Sequence, residues 1–173
     1  MIYDCYMDGW GWMTRAQQEK AAEFAPDEHY RDMLRQLRTP VDELKDFLRT
    51  KQRDVQKIQF FAQDMSLRER LMKEFLIRFA DIAVSSSVRN NVEINQRQAT
   101  KGDALAALCA RLGIDCAETI AFGDGNNDLS MICRAGLGVA MGNALPEVRA
   151  AADVVTGDCD HDGVAEAIEK YCL

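Results

Sequence analysis

Residues 119 to 128 read Thr-Ile-Ala-Phe-Gly-Asp-Gly-Asn-Asn-Asp. The apolar run Thr119 to Phe122 has the length and composition of a short buried strand, Gly123-Asp124-Gly125 breaks it, and helical spacing begins at Asn127. In an open parallel sheet, ligands collect outside the carboxyl ends of the strands, and a helix N-terminus presents free backbone N–H groups to an anion. The two carboxylates of this loop, Asp124 and Asp128, are four residues apart with amides between them. They offer hard oxygen ligands of the kind Mg²⁺ takes, one or two protein carboxylates completed by water and a phosphate. The loop taken alone is equally consistent with a plain turn in which Asn126 or Asn127 caps the following helix.

Outward from that loop, from Thr100 to the C-terminus, charge thins and short apolar runs alternate with helical segments. That βα rhythm predicts a parallel sheet. The spacing predicts a helix over Gly102 to Leu112, with Leu105, Leu108, Cys109 and Leu112 on one face, then the strand Thr119 to Phe122 and a helix from Asn127 to Arg134. A strand Leu137 to Met141, a helix Pro146 to Ala151, a strand Asp153 to Val155 and a helix Gly163 to Tyr171 follow. Three parallel strands are fewer than the about 5 or 6 that a sheet commonly has, so this half reads as incomplete by itself. Ala99-Thr-Lys-Gly-Asp103 puts Lys101 at the head of the first helix, where the helix dipole disfavours a cation. An anionic partner would account for it, and so would plain solvation.

A domain boundary is placed near residue 98, dividing the chain into 1–98 and 99–173. In the first part, residues 2 to 14 alternate about Asp8-Gly9 and predict a β-hairpin, and Arg15 to Arg38 is polar and partly helical. Thr39-Pro40 is expected to open a helix lined by Leu44, Phe47 and Leu48, and Val55 to Ala62 to form a strand. Ser66-Leu-Arg-Glu69 has the form of a capping box ahead of a helix that carries Leu67, Leu71, Phe75 and Phe79 and ends near Arg78. Asp81 to Ser85 and Val92 to Asn95 make a second strand pair. The hairpin aromatics Tyr3, Tyr6, Trp10 and Trp12 are expected in the core, and Lys57, Ser85 to Ser87 and Arg89 on solvated faces and turns.

The 173 residues are 47% hydrophobic and 28% charged, with 3 Pro and 11 Gly, which is a globular composition and excludes disorder and low complexity. A net charge of -7 disfavours nucleic acid or an anionic membrane surface as partner, so an anionic substrate needs a locally positive site, made by a metal ion or a placed lysine. No apolar run approaches a membrane span and no leader pattern follows Met1, so a cytoplasmic location is expected. Six cysteines without a C-x-x-C read as buried free thiols, and two histidines are too few for a His-rich metal site.

Read in order, Glu93-Ile-Asn95, Ala99-Thr-Lys101-Gly102, Gly123-Asp124-Gly125-Asn126-Asn127-Asp128 and Gly136-Leu-Gly-Val-Ala-Met-Gly-Asn143-Ala resemble the haloacid dehalogenase superfamily, and more narrowly its Cof-type sugar-phosphate phosphatases, from about residue 55 to the C-terminus. The resemblance implies an α/β chain: an α/β cap domain followed by the C-terminal part of a Rossmann-like parallel-sheet core. It implies Mg²⁺-dependent hydrolysis of a small phosphorylated metabolite, such as a sugar phosphate, through an aspartyl-phosphate. Carried over by motif, Lys101 is the phosphate-binding lysine, Asp124 a metal ligand, Asp128 a metal or metal-water ligand and Asn127 a substrate-phosphate contact. Lys101, Asp124 and Asp128 form the implied catalytic set. The family's nucleophile motif, Asp-x-Asp-Gly-Thr, is not matched: Asp4 and Asp8 are separated by three residues rather than one, and Asp158-Cys-Asp160 is followed by His161-Asp162. The expectation is a truncated phosphatase with half a site, completed by a complementing N-terminal segment or a second copy. The alternative is a non-catalytic remnant that binds metal, ligand or a partner chain through the edge of its incomplete sheet.

One competing signal remains. Asp158-x-Asp160-x-Asp162-Gly163 with Glu169 has the spacing of an EF-hand calcium loop, but the preceding Val154-Val155-Thr156-Gly157 is no helix, and Asp162 as a helix N-cap is the expected role.

Overall fold

The alternation of residues 2 to 14 becomes a hairpin of β1 (Ile2–Met7) and β2 (Trp10–Thr14). Both turn residues are left-handed, Asp8 at φ +55° and Gly9 at +79°, the type I′ geometry that matches strand twist. The computed structural model describes residues 1–25 and 27–173, and the chain divides into two compact units, Met1–Arg97 and Gln98–Leu173. In the first unit α1 (Arg15–Glu19), α2 (Ala21–Phe24) and α3 (Glu28–Gln36) precede β3 (Arg38–Val41), α4 (Leu44–Lys51), β4 (Lys57–Phe61), α5 (Met65–Arg78), β5 (Ile82–Ser85) and β6 (Asn91–Gln96). The six strands run β3-β2-β1-β4-β6-β5, antiparallel except for β2 with β3.

Side chains alternate across that sheet and close a core on each face. Ile2, Met13 and Phe61 are buried with Ala21, Phe24 and Leu34 of the helices. On the opposite face Phe60 packs against Tyr3 and against Phe75 of α5, with ring centroids 6.0 and 5.5 Å apart, and Trp12 lies 4.4 Å from Phe47 of α4. A polar row crosses three strands in register, Asp4 beside Gln59 and Gln59 beside Glu93. Asp4 is buried and accepts a 2.6 Å hydrogen bond from Arg38 Nε, while its Oδ1 has no hydrogen-bond partner among the described residues. Burial pushes the Asp4 carboxyl above its ordinary value against the pull of Arg38.

Three expectations for this unit are corrected. Thr39 and Pro40 lie in β3, an edge strand, where a missing N–H breaks no interior ladder; α4 starts only at Leu44. Ser66 does not cap α5, because Asp64 accepts from the Ser66 and Leu67 N–H groups first, at 2.9 and 3.3 Å, and so starts the helix earlier. Trp10 is 66% exposed at the hairpin tip rather than in the core.

The second unit follows the βα rhythm. α6 (Lys101–Leu112), a 3-10 turn at Cys116–Glu118, β7 (Ile120–Gly123), a 3-10 turn at Asn126–Asp128, α7 (Leu129–Ile132), β8 (Leu137–Ala140), α8 (Pro146–Ala151), β9 (Val154–Val155) and α9 (Gly163–Tyr171) make a three-stranded parallel sheet in the order β7-β8-β9. Gly138 and Asp153 are tied reciprocally: Gly138 N–H donates to the Asp153 carboxylate at 2.8 Å, and Asp153 N–H to the Gly138 carbonyl at 2.9 Å. Ile132, Ala140, Met141, Ala144 and Val148 form the core. The helix expected over Asn127 to Arg134 is a 3-10 turn followed by one short α-helix. Of the apolar face predicted for α6 only Cys109 is buried, with Leu108 and Leu112 53% and 62% exposed. Cys5 and Cys109 are buried thiols as expected, whereas Cys116 is half-buried and Cys133, Cys159 and Cys172 are exposed. No helix among the described residues is long and apolar enough to cross a membrane.

Candidate active site

At the carboxyl end of β7 the Asp128 side chain folds back over the loop that leads to it. Its Oδ2 accepts from the backbone N–H groups of Asp124 and Gly125 at 3.0 and 3.1 Å. The capping acceptor is therefore Asp128, with Gly125 at the N-cap position, and neither Asn126 nor Asn127 serves as the cap. The fold-back needs a strand that ends in glycine, since a Cβ on Gly123 would overlap the Asp128 side chain. The other oxygen, Oδ1, forms an ion pair with the Lys101 ammonium.

Lys101 reaches Asp128 because the first turn of α6 lies against the start of α7. Gly102 N–H donates to Ser130 Oγ at 3.0 Å, and a side chain at Gly102 would overlap the Ser130 carbonyl. Thr100 caps α6 by accepting from Asp103 N–H at 3.1 Å. The lysine that the helix dipole disfavours thus has a carboxylate facing it from within its own unit. Burial raises the Asp128 carboxyl, but the Lys101 hydrogen bond and the Gly125 and Asp124 amides outweigh it and hold the group below its ordinary value.

Asp124 is the exposed carboxylate of the pair. Its Oδ2 accepts from Asn143 Nδ2 at 3.3 Å and its carbonyl from Leu145 N–H at 3.0 Å, while Asn143 Oδ1 accepts from Cys159 N–H at 3.1 Å. The loops after β7, β8 and β9 are joined in this way at one end of the parallel sheet. Asn143 was given no role from the sequence; its signal was its place just past the second parallel strand. Asn127 is half-buried, with its side-chain oxygen beside Gly125. Among the described residues no three His, Cys, Asp or Glu side chains cluster as a metal site. A cation here would take one or two carboxylates and fill its shell with water and a phosphate, which fits Mg²⁺ and does not fit a closed protein cage. Asp124 suits direct ligation, and Asp128 has both oxygens engaged.

A family model for haloacid dehalogenase-like hydrolases matches residues 11–168. The chain belongs to this family. A haloacid dehalogenase-like hydrolase from Bacillus subtilis superposes with a TM-score of 0.85 at 26% identity, over 99% of this chain and 65% of that one. Another, from Bacteroides thetaiotaomicron, gives 0.71 at 32% identity over 98% and 60%. Among curated relatives, the 5-amino-6-(5-phospho-D-ribitylamino)uracil phosphatase YcsE of Bacillus subtilis is 38% identical over 117 residues, 68% of this chain and 47% of the relative. Phosphatase YwpJ of Bacillus subtilis is 45% identical over 89 residues, 51% of this chain and 31% of the relative. The chain spans less than half the length of these two relatives.

In this haloacid dehalogenase-like chain the calcium spacing at the C-terminus is not a calcium loop. Asp158 follows β9 instead of a helix and turns onto its own loop, accepting from Asp160 N–H at 3.0 Å and lying 2.5 Å from His161 Nδ1. The His161 contact, more than any other, holds the Asp158 carboxyl below its ordinary value. Asp162 occupies the N-cap position of α9 as expected, its carbonyl accepting from Glu166 N–H at 3.0 Å, but it is left-handed at φ +53° and its side chain makes no capping bond. Lys57, 3.4 Å from Glu93, and Ser87, whose hydroxyl donates to Glu93 at 2.7 Å, belong to the polar network of the first unit.

Proposed function

We propose that these residues form the metal- and phosphate-binding half of a phosphatase site for small phosphorylated metabolites, sugar phosphates among them, with Mg²⁺ as the cation. The observation that supports this reading is the Lys101–Asp128 pair beside the exposed Asp124 at the carboxyl end of a parallel strand. A similar phosphatase carries a phosphorylated ribityl chain in the name of its substrate, a polyhydroxyl group ending in phosphate. Mg²⁺ would be held by Asp124, with Asp128 behind it or acting through water, and would supply positive charge to the phosphoryl oxygens. Lys101 supplies the second positive charge, held in place by Asp128 until a phosphoryl oxygen shares it. Asn127 offers its side-chain N–H groups to the same phosphate. Phosphoryl transfer depends mostly on positioning and charge neutralisation, and these residues provide both in a chain whose net charge is -7. No Asp-x-Asp-Gly-Thr occurs in the 173 residues, so the attacking carboxylate lies outside this proposal. The unit Met1–Arg97 is proposed as the cap that selects the substrate.

The test is thermal unfolding with and without Mg²⁺, beside phosphate release from an aryl phosphate. Mg²⁺ is expected to raise Tm in the native sequence and not in Asp124→Ala; equal stabilisation of both would overturn the metal assignment. Turnover that needs Mg²⁺ and disappears in Asp124→Ala supports the phosphatase reading, whereas stabilisation without turnover supports the binding remnant.

A further inference from the structure

The turn that follows β8 is fixed through its backbone on both sides. Met141 N–H donates to the Gly123 carbonyl of β7 at 3.0 Å, and Gly142 N–H to the Gly157 carbonyl beyond β9, also at 3.0 Å. Ala144 N–H closes the turn on the Met141 carbonyl at 2.9 Å, and both of these residues are buried. Gly142 leaves no room for a side chain, since a Cβ there would stand 2.9 Å from the Asp158 backbone nitrogen. Asn143 is thus the exposed tip of a turn with little freedom to move. Its amide bridges two loops: Oδ1 accepts from Cys159 N–H at 3.1 Å, and Nδ2 donates to Asp124 Oδ2 at 3.3 Å. The reversed amide would set its oxygen against a carboxylate and its NH₂ against an N–H, so the Cys159 donor decides which end faces Asp124.

We propose that Asn143 is a positioning residue that presents Asp124 to a divalent cation, a role that rests on the assignment of the metal to Asp124. Asp128 is held by two backbone amides and an ammonium, whereas Asp124 is exposed. An unrestrained carboxylate gives up rotamer freedom when it takes a metal, and a donor already in place lowers that cost. The Asn143 N–H engages one Asp124 oxygen and leaves the other to the cation. Because the donor is neutral, it orients the carboxylate without cancelling its charge; a lysine or arginine at position 143 would repel the ion that Asp124 is to hold. Asn143 is oriented in turn by a backbone N–H of the loop after β9, so the strand at the opposite edge of the sheet from β7 shapes the site without supplying a ligand. Hydrogen-bond partners behind metal ligands are commonly worth about 10–100-fold in metal affinity.

The test titrates Mg²⁺ alone into the full chain and into Asn143→Ala, reading the apparent Kd by calorimetry and the Tm at each concentration. The expected result is a Kd about 10–100-fold weaker in Asn143→Ala. A residue that only ties loops together would lower Tm equally with and without Mg²⁺ and leave Kd unmoved, and that outcome overturns this inference alone. No Mg²⁺ binding by the native chain overturns the metal assignment and this inference with it. A second measurement leaves Asn143 in place and serves if Asn143→Ala fails to fold: the side-chain amide signal of Asn143 is followed by nuclear magnetic resonance in the metal-free native chain and in Asp124→Ala. The signal is expected to shift when the Asp124 carboxylate is removed, and in the native chain to shift again as Mg²⁺ is added. An Asn143 signal indifferent to Asp124→Ala, or to Mg²⁺ that calorimetry shows to be bound, overturns the proposal.

Discussion

Asp128 offers two backbone amides and one ammonium a single carboxylate, so an amide in its place turns one acceptor into a donor aimed at donors. Asp128→Asn is therefore expected to lower the stability of the second unit by about 1.5–3 kcal/mol, the range for hydrogen bonds to charged groups, read from the urea midpoint at constant m. Gly123→Ala should cost about 1–3 kcal/mol by overpacking against the same side chain, and Gly125→Ala, whose Cβ would approach only the Asn127 side-chain oxygen closely, should cost less. The positions of Lys101, Asp124 and Asp128 were legible because glycine, carboxylate and strand end fall together in the chain. That Asp128 folds back to cap its own turn was not. Periodicity reports which face a residue takes, and a side chain reaching four residues upstream leaves no trace in it.

At the level of elements, β3 is fastened to the sheet by a buried charge as well as by its ladder to β2. Arg38 on β3 bonds Asp4 on β1, two strands away. Removing the cation leaves a buried carboxylate without its partner, so Arg38→Ala is expected to cost about 3–5 kcal/mol in the first unit, and Asp4→Asn added to it should return part of that loss. A double-mutant cycle on the two positions checks the coupling. The hairpin, α5 and the parallel sheet were legible because each carries a clean period or turn dipeptide. Thr39-Pro40 was not, since a proline with φ near -65° suits a helix start and an edge strand alike, and only the neighbouring strand decides. The short 3-10 turn at Asn126–Asp128 has the same origin: Asp128 caps from within the turn, and the regular helix begins after it.

Across the whole molecule, two buried carboxylates shift in opposite directions, one in each unit. Asp128 has a lowered pKa, so it stabilises the second unit above its ordinary value of 3.8, and this contribution is lost as pH falls through the folded-state value. Asp4 has a raised pKa, so its charged form costs the first unit stability near neutrality, and the cost is relieved as pH falls through its folded-state value. Acidification is thus expected to loosen Gln98–Leu173 before Met1–Arg97. Both tryptophans, Trp10 and Trp12, lie in the first unit and report on it alone, whereas far-ultraviolet circular dichroism reports on both. The expected outcome is a loss of ellipticity at a higher pH than the change in tryptophan emission; coincident transitions would contradict it.

The reciprocal tie between Gly138 and Asp153 closes the entry to β8, the strand flanked on both sides by parallel neighbours. Val139 and Ala140 within it have no exposed surface. Their amide protons should consequently be the slowest in Gln98–Leu173 to exchange for deuterium, behind those of Ile120 on the outer strand. Because such protons escape only when the unit opens as a whole, their exchange rate becomes a direct gauge of its opening free energy, taken without denaturant.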